Sequence, residues 1–134
     1  MDRKIYKQIF SRLQTLGVID ETGVMKASYM RFTSEGLMDL HVDNLLNDTI
    51  SVAHNGKQNG DVMCDPDMQV QIHPETKSAE ALTFQNDYLG LFQEVYPEPG
   101  KYRPKLKKDL NDFLADWLKT MIEVQQYKLV EQEE

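Results

Sequence analysis

The feature that most limits how this chain can fold is the apolar stripe between residues 104 and 127. Leu106, Leu110, Phe113, Leu114, Trp117, Leu118, Met121, Ile122 and Val124 recur at helical spacing. Lys107, Lys108, Asn111, Asp112, Asp116, Lys119 and Glu123 fall outside that stripe. Pro104 suits the first turn of such a helix, where its missing N–H has no intrahelical role. A stripe this wide has to lie flat on something, and the flat apolar partner available to a single domain is a β-sheet. On this reading Phe113 and Trp117 belong to the core rather than to a stacking platform for bases.

The preceding residues supply that sheet and one more helix. Ile5, Ile9, Leu13 and Leu16, widened by Tyr6 and Phe10, predict a helix over 3–16. Asp2 can cap it, and Gly17 can end it in a left-handed conformation. After Asp20-Glu21-Thr22-Gly23 the apolar period changes to two. Residues 24–32 read as a half-buried strand, and 37–43 as a clearer one, with Met38, Leu40 and Val42 opposite Asp39, His41 and Asp43. Asn47-Asp48 turns the chain into 49–54, where Ile50, Val52 and His54 share a face. Further strands are expected at 68–73, bounded by Pro74, and at 79–85. Residues 88–96 are apolar and fit either an extra strand or a helical turn. The pattern predicts an α+β fold: an antiparallel meander of four to six strands packed against an N-terminal and a long C-terminal helix. One domain over 1–134 is expected, with residues 128–134 as a frayed acidic tail.

Composition narrows the function classes. The chain has 134 residues, 40% of them hydrophobic, enough for a core without covalent staples. Its single cysteine, Cys64, excludes an intramolecular disulfide and a Cys-rich zinc site. No apolar run reaches membrane-spanning length, and the N-terminus lacks the apolar region of a signal peptide, so a soluble cytoplasmic protein is expected. The formal net charge of −7 argues against nucleic acid as a partner, because phosphates would be repelled. The bases are nevertheless concentrated: Lys101, Arg103, Lys105, Lys107 and Lys108 lie close together with no acid between them.

Three places could carry chemistry. The first is the connection 54–68, where His54, Asn59, Asp61, Asp65 and Asp67 stand close together, with His73 beyond. Histidine beside carboxylates suits zinc, manganese or iron. The spacing matches neither an EF-hand loop nor His-Glu-x-x-His. Asn59-Gly60 and Asp65-Pro66 are also turn formers, so the simpler expectation is a structural loop, with Asp61 and Asp67 accepting backbone hydrogen bonds and no metal bound. The second place is the basic run at a helix start, which could take an anion or simply be a solvated basic face. The third is His41 between Asp39 and Asp43, a general-base arrangement or an ordinary polar strand face. Cys64 sits among acids, which should raise its pKa and leave it unreactive.

Several separated motifs occur together: Ile50-Ser51-Val52-Ala53-His54, Gln58-Asn59-Gly60-Asp61-Val62-Met63 and Asp65-Pro66-Asp67-Met68, then Ala79-Glu80-Ala81-Leu82-Thr83, Tyr96-Pro97-Glu98-Pro99-Gly100-Lys101 and a Phe113-Leu114-Ala115-Asp116-Trp117-Leu118 ending. In this order they resemble an uncharacterised family of small bacterial proteins, a domain of unknown function often linked to plasmids, phages and conjugative elements. The ending also resembles the tail of a second uncharacterised bacterial family. The resemblance implies a bacterial mobile-element origin and supplies no catalytic residue to map.

Three functions follow as expectations. The first is a non-enzymatic accessory or protein-interaction domain, without a cofactor, using a sheet edge or the apolar surface around 88–96. The second is a small metal-dependent hydrolase built on His54 and the Asp61/Asp65/Asp67 loop. The third is an acidic mimic of DNA, which the interrupting basic run counts against.

Overall fold

The computed structural model describes residues 3–58 and 60–134. Asp2, expected to cap the first helix, and Asn59 lie outside them. Helix α1 runs Arg3–Leu16 and helix α2 Pro104–Glu123. Between them come β1 (Tyr29–Thr33), β2 (Leu40–Leu46), β3 (Thr49–Gln58), β4 (Asp61–His73), a single 3-10 turn at Pro74–Thr76, β5 (Ser78–Ala81), β6 (Thr83–Asn86) and β7 (Leu91–Glu94). β8 (Lys128–Glu133) follows α2. The fold is the expected α+β architecture, with one antiparallel sheet of eight strands rather than four to six.

The sheet order is β7-β6-β4-β3-β2-β1-β8, and β5 pairs with β4 beside β6. β1 to β5 pair in chain order as a meander, β6 and β7 form a further hairpin against β4, and the last strand returns to pair with the first at the opposite edge. The core lies between this sheet and the helices. Ile9, Phe10 and Leu13 of α1 meet Leu110, Leu114, Leu118 and Met121 of α2 over Phe32, Leu40, Val42, Ile50, Val52, Met68, Val70 and Ile72. These sheet residues alternate along their strands, so one face of the sheet faces the helices and the other carries polar groups. Among the described residues no helix is long and apolar enough to cross a membrane.

Local chemistry explains the element ends. Gly17 has φ +101° and donates its N–H to the Leu13 carbonyl at 3.2 Å, the left-handed stop expected for α1. Asn47 and Asp48, at φ +55° and +56°, turn β2 into β3, a conformation their short polar side chains tolerate.

Several expected boundaries are corrected. Only Tyr29–Thr33 of the segment 24–32 is strand. The carbonyls of Met25 and Ala27 accept from the Asn44 side chain at 3.0 and 3.3 Å, which occupies ladder positions a strand would need. The expected loop 54–68 is a hairpin: β3 continues to Gln58 and β4 begins at Asp61. Asp65-Pro66, with a cis peptide bond, does not reverse the chain. It sits inside β4 opposite His54, where the register shifts between Ala53 and Asn55, and a bulge of this kind tolerates proline. The segment 79–85 divides into β5 and β6 at Leu82, and β7 gives 91–94 a strand. Helix α2 stops at Glu123, and residues 128–133, expected to fray, pair with β1 as β8.

Candidate functional site

The hairpin separates the residues of the first candidate site. His54 lies on the helix side of β3, with its ring edge-on to Trp117 at 5.0 Å and stacked on Tyr127 at 5.5 Å between centroids. Its Nε2 is buried without a hydrogen-bond partner. Burial pushes its pKa down from 6.5 to about 4, against a smaller upward pull from Asp65. The Asp65 carboxylate accepts from Asn86 Nδ2 at 2.6 Å. Asp67 pairs in register with Ala53, on the opposite face of the sheet from His54. It accepts from Ser51 Oγ at 2.8 Å, not from backbone N–H as expected. Burial raises its pKa, and the Ser51 bond partly offsets this. Asp61 is exposed at the start of β4. His54, Asp61 and Asp67 therefore do not face one centre. Among the described residues no group of three or more His, Cys, Asp or Glu side chains is placed to hold a metal ion.

Cys64 is tied into the same strand. Its N–H donates to Asp87 Oδ2 at 2.8 Å, and its carbonyl accepts the Asp87 N–H at 2.9 Å. Burial first, and then Asp67 and Asp87, push the thiol up to about 11. Such a thiol is protonated at neutral pH and is a poor nucleophile.

His41 projects from the polar face. Its Nδ1 lies 2.5 Å from the Tyr29 hydroxyl. The flanking Asp39 turns instead to Arg31 at 3.1 Å, and Arg31 also holds Glu131 of β8 at 3.0 Å. The arrangement ties β8, β1 and β2 together and leaves Asp39 engaged with Arg31.

The basic run is dispersed by local pairing. Lys101 meets Glu98 at 3.2 Å, Lys105 meets Asp109 at 2.9 Å and Lys108 meets Asp112 at 2.7 Å. Arg103 donates to the Glu94 carbonyl at 2.8 Å. Lys107 differs from these four. Its Nζ sits 5.7, 5.3 and 5.2 Å from the ring centroids of Tyr6, Tyr96 and Tyr102 and donates to the Tyr96 hydroxyl at 2.9 Å. The Tyr96 hydroxyl donates in turn to Glu80, which pairs with His73 at 3.5 Å. The sequence reveals the bases but not this cluster: Tyr96 and Tyr102 lie near Lys107 along the chain, but Tyr6 comes from the other end and only the fold brings it there.

A last feature is the β7 end of the sheet. Leu91 and Phe92 of this edge strand are exposed, as are Tyr88 and Leu89 in the turn before it. That turn is held against β4 by the Asp87–Cys64 pair of bonds. A Cβ on Gly56 of β3 would come within 2.6 Å of the Tyr88 hydroxyl, so glycine lets the tyrosine close over the hairpin.

Residues 4–128 match the family model described as Domain of unknown function (DUF6908). The chain belongs to this family. The DUF6908 match spans α1 through the start of β8 and so includes every candidate residue discussed above. Neither a curated protein nor a solved structure matches the chain.

Proposed function

We propose that this DUF6908 chain is a non-catalytic accessory domain of a bacterial mobile element, acting in the cytoplasm by binding another protein along the β7 edge. The observation that carries the reading is the apolar character of that edge. Phe92 is 58% exposed on this terminal strand, and Leu89 is 74% exposed in the turn that leads into it. An open strand edge offers unpaired backbone groups, and natural sheets usually guard such edges with charge or cover. Adding a partner strand would satisfy the backbone and bury Leu91 and Phe92 at once. The mobile-element setting rests on the motif resemblance alone. Nucleic acid is not the partner in this reading, because the chain is acidic and its basic run is largely paired with the flanking carboxylates Glu98, Asp109 and Asp112.

The test compares wild-type protein with Phe92→Lys, which places a charge on the edge without touching the core. Both would be immobilised and exposed to lysate of a host bacterium. A protein retained by wild type and lost from an equally stable Phe92→Lys supports the reading. Identical retention by the two, or no specific retention in repeated trials, sinks it.

A further inference from the structure

We propose that the cavity between the first turn of α1 and the start of α2 binds a small aromatic monocarboxylate, with Lys107 holding the carboxylate and Tyr102 its ring. The cavity has a volume of about 450 Å3 and is lined by Ile5, Tyr6, Tyr102, Lys107, Lys108 and Asp112 among others. That volume lies in the range of small-molecule sites, which combine an apolar wall with a few polar groups that fix orientation.

Charge selects the ligand class. Two ammonium groups and one carboxylate line the space. Asp112 is taken by Lys108 at 2.7 Å, which leaves the charge of Lys107. No carboxylate lies within ion-pair distance of Lys107 among the described residues. Its partners are neutral: three tyrosine rings and the Tyr96 hydroxyl. The Tyr96 hydroxyl is itself fixed by Glu80, so the ammonium is aimed rather than loose. An ammonium has three donors, and Tyr96 takes one. A carboxylate at the cavity mouth would accept from another and neutralise the charge, a charge-assisted bond stronger than the neutral one already present. A dianion would keep one charge uncompensated here.

The aromatic part follows from the walls. Tyr102 is half-exposed, and Tyr6 and Ile5 supply further apolar surface. An aromatic ring laid on Tyr102 gains offset stacking that an alkyl chain does not. A neutral aromatic amide fits the same walls but cannot neutralise Lys107, so the cavity should discriminate by charge. The site is separate from the β7 edge, and either could exist without the other.

The experiment uses the full chain, 15N-labelled, titrated with 2-naphthoate and separately with 2-naphthamide. Saturable amide shifts centred on Tyr6, Tyr102, Lys107 and Lys108 are expected with the naphthoate, and at least about tenfold weaker binding with the amide, as for loss of one charge-assisted bond. Lys107→Met should reduce naphthoate affinity to that of the amide, and Tyr102→Ala should weaken both ligands. No saturation at millimolar naphthoate, equal binding of the two ligands, or an unaltered affinity in a folded Lys107→Met protein would overturn the proposal. Should Lys107→Met fail to fold, the naphthoate and naphthamide affinities of wild type decide the matter alone.

Discussion

The two faces of the sheet are made from the same strands and answer to different physics. On the helix side Leu40, Val42, Ile50, Val52, Met68 and Val70 are all but inaccessible to solvent. His54, Trp117 and Tyr127 extend that layer. On the other side Tyr29, Arg31, His41, Ser51 and Asp67 form side-chain bonds across neighbouring strands. Burial of apolar area scales with what is covered, whereas a half-exposed polar pair gains little over its bonds to water. Stability should therefore reside on the helix side, and the open face should be tolerant of change.

The sharpest way to break that comparison is truncation of the helix layer. Leu118 of α2 is fully buried, and Leu118→Ala should cost about 2–5 kcal/mol through lost transfer energy and a cavity. Trp117, the residue that looks most like a core anchor in the sequence, is only partly buried. Its neighbour on the stripe, Phe113, is 40% exposed. Trp117→Ala should therefore cost about 1–3 kcal/mol, less than a fully enclosed aromatic. Urea unfolding of both variants decides the order. A larger loss for Trp117→Ala would mean that its contacts with His54 and Phe113 matter more than depth.

A smaller effect comes from the titratable group of the buried layer. The unfolded chain takes a proton on His54 near 6.5, but burial delays this in the folded state to about 4. The contribution of His54 is thus complete above pH 6.5 and is lost as pH falls from there toward 4. The loss should be of the order of 2 kcal/mol, allowing for partial solvent access. Of the charged groups that act on it, Asp65 favours protonation and His41 opposes it. His54→Phe should flatten this part of the pH–stability curve, measured by denaturant unfolding at pH 7, 5.5 and 4.5. An unchanged curve in the variant would assign the acid sensitivity elsewhere.

What was legible in the sequence follows the same division. The alternation of Leu40 with Val42 and of Ile50 with Val52 marked the strands because their burial is one-sided. The α2 stripe was legible for the same reason. Lys128–Glu133 was not, since its strand character comes from pairing with β1 and from the Arg31–Glu131 ion pair, both contacts distant in sequence. Turn residues misled at Asp65-Pro66, because a bulge and a chain reversal use the same residue types. His54 stood out as a candidate, but its partners Trp117 and Tyr127 are contributed by the other end of the chain. The basic run was visible as charge. Its one distinctive member, Lys107, is distinguished by a ring of tyrosines that closes only when the fold brings Tyr6 beside Tyr96 and Tyr102.

On the open face the expected effects are small. Arg31 holds both Asp39 and Glu131, yet all three side chains are a third or more exposed. Arg31→Met should lower the melting temperature slightly at low salt, and the difference should shrink at high salt as screening weakens the wild-type pairs. A loss as large as that of Leu118→Ala would overturn the division between the faces.

Asp67 gives the smallest effect and one of opposite sign to His54. Burial raises its pKa, and Asp43 and Asp87 add to the rise, while the Ser51 bond opposes it. A carboxyl that is harder to ionise when folded contributes stability below its unfolded pKa and loses that contribution as pH rises through the folded one. At pH 7 the folded protein therefore holds an unfavourable charge at this position. Asp67→Asn removes the charge and keeps an oxygen to accept from Ser51 Oγ. The variant should melt slightly above wild type at pH 7, and the difference should vanish near pH 3, where Asp67 is itself neutral. Scanning calorimetry at the two pH values reads both the sign and its disappearance. A variant less stable than wild type at pH 7 would show that the ionised Asp67–Ser51 bond outweighs the burial of the charge, and that the open face stores more stability than its exposure suggests.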